Sequence, residues 1–261
     1  MPNLSEIFEK DDALFEILQE ISITNALQCF QKNDLPKTGQ AMTTFVIKTN
    51  FLKTAIFDLC ESDNLYATNI VFRSLIEHVL KAQYIFMKWA EDKNDDVGEN
   101  YLKWYDASET YDYLKSWEAV SKLVNNGKSK AVPEKILYET KPEFSEKSIK
   151  EIKEIASQFK YRSIIKYMNE KIPNHSKSPE ESFLLKIIPS YAELSGYVHG
   201  GPSADKELMT CTCEKEREVN LIEIADMTVH LVGSINSYLL IMLMNFDRSF
   251  EPLFKKLKKA L

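Results

Sequence analysis

Apolar residues recur at three- and four-residue spacing along most of this chain, and no stretch alternates with the two-residue period of a strand. The pattern is strongest in residues 38–61, TGQAMTTFVIKTNFLKTAIFDLCE, and 64–92, NLYATNIVFRSLIEHVLKAQYIFMKWAED. Ser62-Asp63-Asn64 between them supplies turn and N-cap chemistry, so the two segments predict an antiparallel helix pair. Proline placement agrees. A proline inside a helix costs about 3 kcal/mol, and none occurs between Lys37 and Val132 or between Ser203 and Glu251. After Pro179 the helical pattern returns and predicts helices near 180–199, 214–246 and 250–260.

Residues 93–178 differ in character. They are more charged, carry loop signals at Asn125-Asn126-Gly127, hold Pro133 and Pro142, and end in the polar run PNHSKSPEE. This predicts two or three amphipathic helices forming a charged insertion within one domain spanning 1–261. The aromatic segment YLKWYDASETYDYLKSW inside it suits packing onto the main bundle, or else a stacking surface for bases or a ligand. The expected fold class is all-α, a helical bundle with a charged helical insertion.

Composition narrows the function. Hydrophobic residues at 44% and charged residues at 28% are the balance of a globular chain. A net charge of -6 gives no overall basic field for nucleic acid. Local positive patches remain, at Lys255, Lys256, Lys258 and Lys259 and at Lys128, Lys130 and Lys135. The N-terminus is acidic where a secretory signal needs a basic start, and Cys29, Cys60, Cys211 and Cys213 show no zinc-ligand spacing. We therefore expect reduced thiols in a cytoplasmic protein. The apolar stretch from Val229 to Phe246 is interrupted by His230, Ser234, Asn236, Ser237 and Asn245, which suits a core helix rather than a membrane span. No H-E-x-x-H, Walker loop or G-x-S-x-G occurs, and His175 and His230 are isolated. No metal or cofactor is expected.

Two helices carry polar groups inside their apolar stripes. Arg73, Glu77, Leu80 and Tyr84 share one face of the second helix, and Tyr191, Ser195 and His199 form an i, i+4, i+8 row beside Leu194 and Val198. The row ends in Gly200-Gly201-Pro202, where Gly200 suits a left-handed C-terminal cap and Pro202 forbids continuation. Buried Arg and Glu need partners, and the nearest polar groups on another core helix are Tyr191, Ser195 and His199. A single cluster would explain both irregularities, either as a structural network or as a site.

The motifs R-S-L-x-E at Arg73–Glu77 and Y-x-x-L-S-x-x-x-H-G at Tyr191–Gly200 resemble the signature of a family of uncharacterised all-α bacterial proteins. That family is similar in turn to the HEPN group, which includes RNases and toxin or phage-defence effectors. The resemblance covers about residues 40–92 and 180–245 and implies Arg73, Glu77, Tyr191, Ser195 and His199 as site residues. It also implies RNA as a partner, a second protein of a defence system, and a homodimer. HEPN nucleases place a histidine four to six residues after the arginine. Here that is His78, which lies in mid-helix about 140° around the axis from Arg73, so His199 is the preferred functional histidine and His78 the second candidate. The implied chemistry is metal-independent RNA cleavage. His199 takes the proton from a ribose 2′-OH, Arg73 holds the phosphate, Tyr191 or Ser195 positions it, and Glu77 orients Arg73 or acts on His199. The rival expectation is a non-catalytic binding or regulatory module built around the same cluster.

Overall fold

A computed structural model describes residues 3–129, 132–171, 183–202, 204–205 and 213–261, with backbone alone at 183–186. The whole PNHSKSPEE run, which holds His175, and with it Lys130 and Cys211 lie outside the described residues. The described residues are 86% helical, with no strand among them.

The chain opens with α1 (Leu4–Gln19) and α2 (Ile23–Lys32), two helices that the apolar spacing did not announce. Capping explains where they start: Asn3 and Glu6 form a reciprocal capping box on α1, and the Ser22 hydroxyl accepts from the Asn25 amide on α2. The expected antiparallel pair follows as α3 (Pro36–Glu61) and α4 (Leu65–Asp92). Asn64 caps α4 through the Ala67 amide, after Asp63 turns the chain at φ +52°. Helix α3 starts with proline at its first turn and no cap from its own side chains. The Asp95 carboxylate, just beyond α4, takes that place and accepts from the amides of Lys37 and Thr38 at 2.9 and 2.7 Å.

The later helices are α10 (Phe183–Val198), α11 (Glu214–Met244) and α12 (Glu251–Ala260). Helices α3, α4 and α11 pack on one another to make the central layer, and α10 lies along α4. Helices α1 and α12 cover α11, and α2 covers α3. Phe45, Ile56, Leu75, Ile76, Ile235 and Leu240 are fully buried between these helices, each removal of a large apolar side chain from water contributing about 1.5–3 kcal/mol. Helix α11 is the one described helix long and apolar enough to cross a membrane, and 61% of its most apolar window is buried inside the fold. Its apolarity serves the core.

The middle segment has more pieces than periodicity suggested: α5 (Asp96–Glu99), a π-helical turn at Asn100–Tyr105, α6 (Asp106–Val124), α7 (Pro133–Thr140), α8 (Ile149–Ala156) and α9 (Tyr161–Lys171). Helices of eight residues between Pro133, Pro142 and Ser148 are too short to show a clear period. Part of this segment joins the main core. Tyr101 and Tyr105 stack on each other and pack edge-on against Phe159, and Gly98 sits so close to α3 that a Cβ there would lie 2.1 Å from the Thr38 amide nitrogen. Another part closes a small core of its own from Ala107, Leu137, Phe144 and Ile152, with Trp104 against Phe144. The aromatic segment therefore packs inward through Tyr101, Trp104, Tyr105 and Tyr111, while Tyr113 and Trp117 stay exposed.

Candidate functional site

Helix α4 presents Arg73, Glu77 and Lys81 one turn apart, and α10 lays Tyr191 and Ser195 across them. Glu77 is the centre. Its Oε2 accepts from Arg73 Nη1 at 2.9 Å and its Oε1 from Lys81 Nζ at 2.9 Å. Arg73 Nη2 donates to the Tyr191 hydroxyl at 2.7 Å, and Arg73 Nε reaches Ser195 Oγ at 3.4 Å. The Ser195 hydroxyl donates to the Tyr191 carbonyl at 2.8 Å, which leaves its oxygen facing the guanidinium. Lys81 also donates to the Tyr105 hydroxyl at 2.9 Å, tying the π-helical turn into the cluster. The ring of Tyr161, at the start of α9, stacks on Tyr191 with 4.0 Å between centroids.

Burial is graded across this group. The side chains of Lys81 and Arg73 are 10% and 17% exposed and that of Glu77 is 31% exposed, so the cluster opens toward solvent at the carboxylate. Burial alone would raise the Glu77 carboxyl, but Lys81 and Arg73 outweigh it and hold the group below the usual carboxylate range. Burial would likewise lower Lys81, yet Tyr105 and Glu77 raise it well above an ordinary ammonium. Burial pushes the Tyr191 and Tyr105 phenols up, so both stay protonated at neutral pH. Two cations thus share one anion. The exposed Glu109 meets the Tyr105 hydroxyl from outside.

The end of α10 explains the Gly-Gly-Pro stop. Gly200 is left-handed at φ +61°, and the Gly201 amide bonds back to the Gly196 carbonyl at 2.8 Å, the six-to-one bond of a Schellman motif. The Tyr197 carbonyl in this last turn accepts from the Tyr66 hydroxyl at 3.2 Å. His199 is the cap residue of this turn. It is exposed, one turn beyond Ser195, and among the described residues its ring makes no hydrogen bond or ion pair.

The structure therefore gathers Arg73, Glu77, Tyr191 and Ser195 and leaves His199 outside their hydrogen-bond network. His78 faces the other way: its Nδ1 donates to the Ser74 carbonyl at 2.7 Å, its ring lies edge-on to Phe45 of α3, and burial lowers its pKa. Sequence reasoning missed Lys81, Tyr105 and Tyr161. Lys81 could have been found, standing four residues after Glu77 on the same face. Of the lysines proposed as basic patches, Lys255 and Lys256 pair with Glu251 and Glu20 at 2.8 and 2.7 Å, which reduces the free charge of the C-terminal tail. Among the described residues no three His, Cys, Asp or Glu side chains gather as metal ligands.

One family model, described as a family of unknown function (DUF5677), matches residues 40–217. The matched span contains every residue of the cluster together with His199. No curated protein and no solved structure matches the chain.

Proposed function

For a chain that belongs to DUF5677, we propose, on the strength of its site, the role of an RNA-directed cytoplasmic effector of the HEPN kind, working in bacterial defence beside a partner protein. The observation that carries this reading is the charge of the cluster: Arg73 and Lys81 share the single carboxylate of Glu77 at a half-open position. A guanidinium has five N–H donors, and Arg73 engages one on each of its three nitrogens. The remaining two are available to a phosphate oxygen, the geometry for which arginine is best suited.

In this reading the ribose 2′-oxygen attacks the adjacent phosphorus as His199 accepts its proton. The 2′-O–P bond forms, the P–5′-O bond breaks, and the leaving 5′-oxygen takes a proton from water. Arg73 and Lys81 offset the negative charge that grows on the phosphate oxygens. Glu77, ionised and doubly paired, serves to aim the two cations rather than to move protons.

A second reading has its own support: Arg73, Glu77, Tyr191 and Ser195 already satisfy one another, and His199 stands outside their network. That arrangement also suits a non-catalytic regulatory module. Induced expression separates the two, with growth and total RNA followed for wild type, His199→Ala and Arg73→Ala, and each protein checked for folded yield. Growth arrest with fragmented RNA, both lost in a folded His199→Ala variant, is the expected result. Intact RNA at full expression of the folded wild type would set the nuclease aside in favour of the regulatory module.

A further inference from the structure

Large apolar side chains left in solvent are concentrated in two places among the described residues. The first is convex. Helix α6 exposes Tyr113, Trp117, Val120 and Val124, at 62, 55, 48 and 75%, and steps of four, three and four residues put all of them on one stripe. That helix packs against α7, α8 and the π-helical turn through its opposite side. The second is concave. Between α1, α2 and α3 runs a groove of about 710 Å³, from whose walls Phe15, Ile23, Ile47 and Phe51 stand 44, 46, 37 and 72% exposed. These two patches hold nearly all the exposed large apolar residues, the others being Leu123 next to the stripe, Val132 and Val198.

The patches match in length and in charge. Along α3 the groove is lined from Thr43 to Glu61, roughly 27 Å at 1.5 Å per residue, while the stripe from Tyr113 to Val124 needs roughly 16 Å. The groove carries Asp11, Asp12, Asp58 and Glu61 against the single cation Lys53. From Tyr113 on, α6 and the turn after it carry Lys115, Lys122 and Lys128 against Glu118, which pairs with the first two. An amphipathic helix laid into an apolar groove is a recurrent mode of recognition. Within one copy the two features belong to different helix layers, α6 packing chiefly against α7, α8 and the π-helical turn while the groove runs between α1, α2 and α3.

We propose that this groove receives α6 of a second copy of the same chain, Trp117 being the anchor and Phe51 part of its socket. Each copy both gives and receives, so the contact closes a pair by mutual exchange of α6 or extends a chain of copies. The contact is independent of the polar cluster and of any activity there.

Sedimentation velocity over a concentration series tests this with wild type, Trp117→Glu and Phe51→Glu. Both substitutions fall on exposed side chains, and circular dichroism confirms the fold of each variant. Wild type should self-associate, and either substitution should weaken association by about 30-fold or more, the loss expected of a central anchor. The decisive arm mixes the two variants: one keeps its stripe and the other its groove, so each alone is monomeric while the mixture forms a one-to-one complex. A wild type that stays monomeric throughout, or a Phe51→Glu variant that still pairs through its intact stripe, overturns the proposal.

Discussion

Arg73 of α4 and Tyr191 of α10 meet twice: Nη2 donates to the phenolic oxygen at 2.7 Å, and the guanidinium carbon lies 4.6 Å from the ring centroid. This pair is the polar seam between two otherwise apolar helices. Arg73→Ala removes partners from Glu77, Tyr191 and Ser195 together and should cost about 2–4 kcal/mol in urea unfolding. Tyr191→Phe removes one charged hydrogen bond and should cost about 1.5–3 kcal/mol. A double-mutant cycle on the two should give a coupling of about 1 kcal/mol or more. Additive effects would mean that the seam does not act as a unit.

Glu77 makes the acid stability of the fold testable. Its folded carboxyl lies below its ordinary value near 4.5, so its contribution is complete above that pH and fades as pH falls through the lower folded value. Glu77→Gln should therefore lower stability at neutral pH and flatten the acid limb of the stability curve below pH about 4.5. Midpoints of urea unfolding between neutral and strongly acidic pH are the measurement. An acid limb of unchanged slope would show that the carboxylate gains nothing from Lys81 and Arg73.

Lys53 and Asp11 pose the opposite case. Their ion pair, 2.6 Å long and at least 88% buried on both sides, lies at the floor of the α1–α3 groove, and burial raises the Asp11 carboxyl despite its partner. The charge is costly where it is. Lys53→Met alone strands it and should destabilise by about 3–5 kcal/mol, whereas Asp11→Leu together with Lys53→Met should return stability to within about 1 kcal/mol of wild type or above it. Thermal unfolding of the three proteins decides the matter, and a double variant as weak as the single one would contradict this account.

Gly98 and Gly39 are both tight but differ in what confines them. A Cβ at Gly98 would meet the backbone of Lys37 and Thr38, and one at Gly39 would meet the ring of Phe30 at 2.3 Å. Backbone of a capped helix start cannot step aside, and neither can Phe30, which is fully buried and whose own Cβ would lie 2.4 Å from the added atom. Gly98→Ala and Gly39→Ala should thus each cost about 1–3 kcal/mol and lower the thermal midpoint.

Legibility in the sequence followed helix length and locality. Helices α3, α4, α10, α11 and α12 were readable because their apolar positions repeat over many turns or because Pro252 and Gly200 punctuate their ends. Helix α1 was not, since its buried positions, Ile7, Asp11 and Leu14, include a charge whose partner is 42 residues away. The meeting of Arg73 and Glu77 with Tyr191 and Ser195 could be inferred from the need of buried charges for partners. The roles of Tyr105 and Tyr161 could not, because they reach the cluster from segments whose placement depends on tertiary packing rather than on spacing. His199 shows the converse: its place in the i+8 row suggested membership in the cluster, but the helix unwinds at that residue.

The π-helical turn at Asn100–Tyr105 sets how the middle of the chain is apportioned. Val97 upstream of it and Tyr101 and Tyr105 within it go to the main core. Trp104, Ala107, Tyr111 and Leu114 go to the small core, and Tyr113 and Trp117 are left outward. Such a turn holds one residue more than an α-helical path, a step of about 100° around the axis. It acts as a one-tooth offset in a gear train: α6 runs on as a regular helix, but every face it shows is dialled round by that single step. Deleting one residue there would keep the helix and its composition while turning Trp117 off the outward stripe and bringing polar side chains into its place.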